Sequence, residues 1–159
     1  MAGMDTPLYR MRRDLHRPLA PFHWPDRVRP LVFSPAHAAE VHALLELAYA
    51  KGGGTVAPFA QWWPALSADS EFDPALCFLA QTDGGAIIGV AQCWTSGFVK
   101  DLAVHPDWRM RGVGAALLLQ AFHALRDRGA ASADLKVEQD NPSGAVRFYE
   151  RLGMTVVPD

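Results

Sequence analysis

Cysteine is scarce: Cys77 and Cys93 are the only two among 159 residues. Two well-separated thiols are too few for a disulfide framework or a cysteine zinc site, and they read as buried, reduced side chains. No apolar run approaches the roughly 18 to 20 residues needed to cross a bilayer, and the N-terminus has no apolar signal core. Positive charge is not in excess either. Fifteen Lys and Arg face seventeen Asp and Glu, a formal net charge of −2, so the uniform positive field of a general nucleic-acid binder is missing. His16, His23, His37, His42, His105 and His123 form no H-E-x-x-H or other metal spacing. Gly52-Gly53-Gly54 is not followed by Lys-Ser/Thr, which excludes a Walker loop. No internal repeat is present. Together these absences predict a cytoplasmic protein that holds no metal, does not bind nucleic acid and does not enter a membrane.

Half of the residues are hydrophobic, a fifth are charged and a tenth are aromatic, a composition that folds. The length predicts one domain, placed at residues 27–159 behind an N-terminal arm at 1–26. Pro7, Pro18, Pro21 and Pro25 keep the arm irregular, with room for one short strand at 8–15. Arg10, Arg12, Arg13 and Arg17 make it basic, but Asp5 and Asp14 interrupt the run and serine is absent, so it reads as a surface arm or edge strand rather than an organelle presequence.

Residues 27–33 predict a strand confined to a sheet edge by Pro30. Ser34-Pro35 opens a helix whose apolar positions Val41, Leu44, Leu45 and Ala48 repeat with helical period until Gly52. Pro58 opens a second short helix bearing Phe59, Trp62 and Trp63, and 67–74 reads as polar loop. The period then shortens. Segments 75–81, 86–94 and 97–104, with Asp83-Gly84 between the first two, predict an antiparallel meander. Gly89 within it marks a bulge or a close backbone approach. From 112 an apolar stripe (Val113, Leu117, Leu118, Ala121, Phe122, Leu125) predicts a helix capped by Gly129. A fifth strand at 132–138 and a last helix at 143–152 follow. The segment 98–138 is a strand–helix–strand crossover, which makes the fifth strand parallel to the fourth. The fold class is mixed α/β.

Chemistry concentrates at 98–115, FVKDLAVHPDWRMRGVGA. A strand feeds a loop, and the loop feeds a helix whose first turn has small residues at Gly112, Gly114 and Ala115. Free N–H groups and the helix dipole favour an anion there, phosphate above all. Arg109 and Arg111 fit the same reading, because cations at a helix start are unfavourable unless something negative binds. Two other readings use the same residues. A dinucleotide fold requires a third glycine where Leu117 stands; alternatively, the glycines merely let helix and strand pack closely.

The run Arg109-Met110-Arg111-Gly112-Val113-Gly114, preceded by Leu102-Ala103-Val104 and His105-Pro106-Asp107, resembles the pyrophosphate motif R/Q-x-x-G-x-G/A of the GNAT superfamily of acyl-CoA-dependent N-acyltransferases. A second block resembles the family at 135–154: Leu135, Val137 and Asn141, then Ala145 through Phe148-Tyr149-Glu150 to Leu152-Gly153-Met154. The resemblance implies a GNAT-like fold in which an antiparallel meander is followed by a β-α-β crossover, with strands four and five splayed. It implies acetyl-CoA as cosubstrate. Amides from Met110 to Ala115 (Met110, Arg111, Gly112, Val113, Gly114, Ala115) would hold the pyrophosphate, beside Arg109. Leu102, Ala103 and Val104 would pair with the pantetheine arm like an added strand, and Asn141 would bind near the end of strand five. Tyr149 would be the general acid at the thioester sulfur, and a backbone N–H such as that of Val104 would stabilise the oxyanion.

A free amine of pKa about 10 is mostly protonated at pH 7, so a base or relay is required. Asp101 is the first candidate, followed by Glu138 and His105. Phe59, Trp62 and Trp63 with the glycine loop would shape the acceptor site, or else serve as core. The expected activity is N-acetyl transfer to a primary amine in a ternary complex; the alternative is a non-catalytic acyl-CoA-binding regulatory module. The short C-terminal strand TVVP leaves a sheet edge to be completed by the N-terminal arm or by a second copy of the chain in a homodimer.

Overall fold

The computed structural model describes residues 7–52, 54–139 and 144–159. Strands β1 (Leu8–Asp14) and β2 (Val28–Val32) come first. A 3₁₀ turn at Pro35–His37 leads into helices α1 (Ala38–Ala48) and α2 (Phe59–Ala68). Then come β3 (Phe72–Thr82), β4 (Ile87–Trp94), β5 (Val99–Val104), helix α3 (Val113–Asp127), β6 (Ser132–Glu138), helix α4 (Ala145–Arg151) and β7 (Thr155–Val157).

Two sheets form. One is the antiparallel meander β2-β3-β4-β5, and the other has the order β6-β1-β7. Pro30 lies on β2 at the outer edge of the meander, where its missing donor breaks no ladder. Among the described residues the sheets meet at a single parallel bridge, Phe98 to Asp134, with Asp134 N–H donating to Gly97 O at 3.1 Å. Beyond it β5 and β6 separate, which is the predicted splay.

The third strand of the second sheet comes from the N-terminal segment. β1 lies antiparallel to β6 from Leu8↔Glu138 to Asp14↔Ser132, and on its other side antiparallel to β7. Its alternation explains why it fits a central position: Met11 is fully buried, and Arg10 and Arg12 project from the opposite face onto Asp134, each at 2.8 Å. Residues that read as an arm in the sequence are thus interior to a sheet.

α3 packs Leu117, Leu118, Phe122 and Leu125, all buried, between the sheets and α4. Burying such a side chain contributes about 1.5 to 3 kcal/mol. A second core joins α1 and α2 to the other face of the meander. β4 is covered on both faces, so it reads as a continuous apolar run rather than an alternating one. Both expectations for Gly89 hold. The register slips between Ala80 and Gln81, and a β-carbon at Gly89 would lie 2.8 Å from Leu117 Cδ1.

Two sequence expectations change, and one left open is decided. β3 begins at Phe72, inside the segment read as loop, because Phe72 pairs with Trp94 before an irregularity that takes up residues 73–76 and ends at the Cys77–Gln92 pair. α1 ends at Ala48 rather than near Gly52. Trp62 is buried against the meander and Trp63 lies 5.7 Å from the Phe33 ring; the tryptophan pair is core.

Candidate active site

The loop after β5 turns sharply. His105 Nδ1 accepts from Asp107 N–H at 3.0 Å, a 3₁₀ turn spans Pro106–Trp108, and Met110 takes a left-handed φ of 62° with its side chain exposed. Gly112 caps α3 at φ 88°, a conformation glycine adopts without a Cβ penalty. No side chain caps this helix. Among the described residues nothing accepts from the amides of Gly112 to Ala115, and the first bond of the helix is Ala116 N–H to Gly112 O. The α3 start therefore presents donors without acceptors, together with the positive end of a fifteen-residue helix.

The two arginines divide. Arg111 stacks its guanidinium 5.0 Å from the Trp108 ring centre and stays at the loop. Arg109 donates Nη2–H to Ala48 O at 3.1 Å, so it ties the loop to the end of α1 instead of facing the α3 amides. The glycines also divide. A β-carbon at Gly112 would meet only Pro25, at 3.9 Å, whereas one at Gly114 would touch Phe148 Cζ at 3.4 Å and Val104 Cγ2 at 3.6 Å. Gly112 keeps the helix mouth open, and Gly114 lets α3 approach β5 and α4.

β5 contributes its open edge. His105 N–H donates to Ile88 O on β4 at 2.8 Å, and alternation then turns the Ala103 main chain toward β4 and those of Leu102 and Val104 away from it. Only the Phe98 bridge occupies the far side, so the Leu102 and Val104 amides face the gap between the sheets. Ala103 is removed from the edge-pairing set by its inward direction.

Tyr149 on α4 lines a cleft of about 250 Å³ together with Leu8, Gly54, Lys136, Val137, Glu138 and Ala145. Burial pushes its phenol up to about 12, so it is protonated at neutral pH. Lys136 pairs with Asp159 at 3.1 Å. Asn141 lies outside the described residues. His105 is occupied by Asp107. Among the described residues no group of three or more His, Cys, Asp or Glu could hold a metal ion.

Asp101 is buried on the α1 face of β5, opposite to the side that Leu102 and Val104 occupy. Both carboxylate oxygens are engaged: Oδ1 accepts from the Tyr49 hydroxyl at 2.8 Å and Oδ2 from Lys100 Nζ at 2.9 Å. Burial and then the Asp101 charge hold the Tyr49 phenol far above its ordinary range. The sequence does not reveal that Tyr49 pairs with Asp101, because no spacing relates the end of a helix to a strand 52 positions later. Gln92 was legible as an anomaly, an amide in the apolar run AIIGVAQCW, and it lies directly opposite Asp101 on β4. The α1–α2 connection that carries Gly54 is held by buried His42, whose Nε2 lies 2.7 Å from Ala57 O.

A meander joined at one bridge to a second sheet, with an uncapped helix start and an open strand edge facing the gap between them, is the architecture of N-acetyltransferase structures. The GCN5-related N-acetyltransferase from Sphaerobacter thermophilus superposes with a TM-score of 0.83 at 26% identity, over 94% of this chain and 48% of that one. The profile of the Acetyltransferase (GNAT) family matches residues 13–154, and the chain belongs to that family. Two relatives are mycothiol acetyltransferases. That of Thermobispora bispora is 34% identical over 93% of this chain and 53% of the relative, and that of Mycolicibacterium gilvum 36% over 90% and 52%. The chain spans about half the length of these curated relatives.

Proposed function

We propose that the protein transfers the acetyl group of acetyl-CoA to a primary amine by direct attack in a ternary complex, in the cytoplasm and without a metal. One observation carries this reading: the uncapped α3 start, the open β5 edge and the Tyr149 cleft adjoin one another around Gly114, Val104 and Phe148. The donor set suits a diphosphate, since it offers N–H groups with no competing acceptor. Amides from Met110 to Ala115 would hold the pyrophosphate of acetyl-CoA, with Arg111 beside them. The main chains of Leu102 and Val104 would pair with the pantetheine amides, and Asn141 is assigned to the same cosubstrate by motif.

The acceptor nitrogen forms its bond to the thioester carbon, and negative charge moves to the carbonyl oxygen. The Val104 N–H, fixed on a strand and facing the gap, stabilises that charge. Collapse breaks the C–S bond. Tyr149 at about 12 and a thiol at about 8.5 differ by ~3.5 units, or ~5 kcal/mol. The gap opposes a lasting transfer even to the departed thiolate; Tyr149 hydrogen-bonds the sulfur as charge builds, and the proton it passes over as the bond breaks is replaced from solvent. A cysteine acyl intermediate is disfavoured as well, because both thiols are buried and burial pushes that of Cys93 up to about 12.

The relatives' names make mycothiol lacking its acetyl group the first acceptor to assay, alongside glucosamine, spermidine, kanamycin and peptide N-termini. Binding of acetyl-CoA by titration calorimetry and amine-dependent release of free CoA thiol are expected. Absence of binding overturns the reading; binding without release for any amine turns it into an acyl-CoA-binding module.

A further inference from the structure

A row of polar side chains crosses the meander beneath α1. Cys77 on β3 is opposite Gln92 on β4, and Gln92 is opposite Asp101 on β5. All three are buried, Gln92 at 3% exposure and Asp101 at 8%. The surroundings are the apolar second core, so each polar atom needs a partner. The Asp101 carboxylate has two, Tyr49 and Lys100. Gln92 donates Nε2–H to Cys93 O at 3.2 Å, but its Oε1 is buried and has no partner. An unpaired buried acceptor is destabilising.

That orphan has a use in a second protonation state. As a carboxylate Asp101 accepts only, and its oxygens are served by the Tyr49 O–H and the Lys100 ammonium. Once protonated it becomes a donor, and the acceptor directly across the strand pair is Gln92 Oε1. The site thus contains hydrogen-bond partners for both forms of one carboxyl group. It also has a route outward: a β-carbon on Gly54, which lines the Tyr149 cleft, would sit 3.1 Å from the Tyr49 ring.

Building on the transferase reading above, we propose that Tyr49 and Asp101 form the relay that takes the proton from the acceptor amine, with Gln92 receiving the acid so formed. As the amine nitrogen bonds to the thioester carbon it becomes a cation. It gives one proton to Tyr49 Oη, while Tyr49 gives its own to Asp101 Oδ1. Tyr149 gives a proton to the leaving sulfur, and solvent then removes the proton from Asp101 and restores that of Tyr149, so no net proton is retained. Tyr49 is the catalytic residue that faces the amine. Asp101 acts through it, Gln92 is a positioning residue, and Lys100 sets the charge. The groups facing Asp101 are Tyr49 from α1, Lys100 on its own strand, and Gln92 and Cys77 across the sheet.

The test uses acetyl-CoA with two acceptors: the amine of the panel with the highest wild-type turnover, and hydroxylamine, a weak base whose nitrogen, once bonded to the thioester carbon, is acidic enough to lose its proton to water with little help. Tyr49→Phe and Asp101→Asn are expected to lower kcat for the panel amine about 100-fold, with a loss for hydroxylamine at least tenfold smaller. Equal losses for both acceptors overturn the relay while leaving the transferase reading intact. A wild type that binds no acetyl-CoA overturns both. Should Asp101→Asn fail to fold, Tyr49→Phe decides alone.

Discussion

Tyr149 and Gly112 do different things, and substitutions separate them. Tyr149→Phe keeps the ring that packs against Phe148, whose centroid is 5.3 Å away, and removes only the hydroxyl. Turnover should fall about 100-fold, while the dissociation constant for CoA, measured by calorimetry, stays within about twofold of wild type because the phenol makes no contact with the diphosphate seat. Gly112→Glu reverses that pattern. It places a carboxylate at the mouth of α3 and forces a left-handed φ on a residue with a β-carbon, a combination of charge conflict and roughly 1 to 2 kcal/mol of backbone strain. Calorimetry should detect no CoA binding, and circular dichroism should retain the native helix signal.

At the level of elements, the pairing of β1 with β6 depends on one ion cluster. Asp134 is 5% exposed and accepts from Arg10 and from both Nε and Nη2 of Arg12. Burial alone would raise its carboxyl, but the bonds from Arg12 and Arg10 outweigh it and the group lies below the ordinary carboxylate range. A folded-state value below the unfolded one stabilises the protein above the unfolded value of about 3.9, and the contribution disappears as pH falls through the folded value. Asp134→Asn should therefore lower the urea midpoint at pH 7. At pH 3 the gap between variant and wild type should narrow, and urea titrations at the two pH values measure this directly.

Elements bounded by strong local chemistry were legible in the sequence. β6 has the expected limits, and α3 ends at Asp127, closed by Gly129 in the left-handed conformation expected of its cap. A short strand at 8–15 was readable, and the N-terminal arm was one of two candidates to complete the sheet, but a central place between β6 and β7 was not readable. Nothing local tells residues 8–14 that their partners are 132–138 and 155–157. The site divides in the same way. The uncapped start of α3, proposed as the anion seat, is one continuous stretch, so the motif exposes it. Arg109 reads as an anion ligand until α1 supplies the Ala48 carbonyl, and Tyr49 becomes functional only when α1 is laid across β5.

Across the whole molecule, the two sheets are joined by one bridge at Phe98 and Asp134 and held together by α3 packing against both. A cosubstrate occupying the gap would touch both sheets and α3, so its binding energy should appear as global stability. With CoA at 100 times its dissociation constant the gain is about 2.7 kcal/mol. For a domain of this size that is a rise in Tm of about 5 to 11 °C, readable by scanning calorimetry. A separate melting of the β6-β1-β7 sheet, unaffected by CoA, would contradict this coupling.

The insertion of β1 between β6 and β7 has a consequence for biosynthesis. Residues 8–14 emerge from the ribosome long before the strands they pair with, 132–138 and 155–157. The meander can assemble while translation proceeds, since its neighbours follow one another along the chain. The other sheet must wait, with an apolar and arginine-rich segment left unmatched until β6 and β7 have been made. The interval before that pairing is when a nascent-chain chaperone would have something to hold.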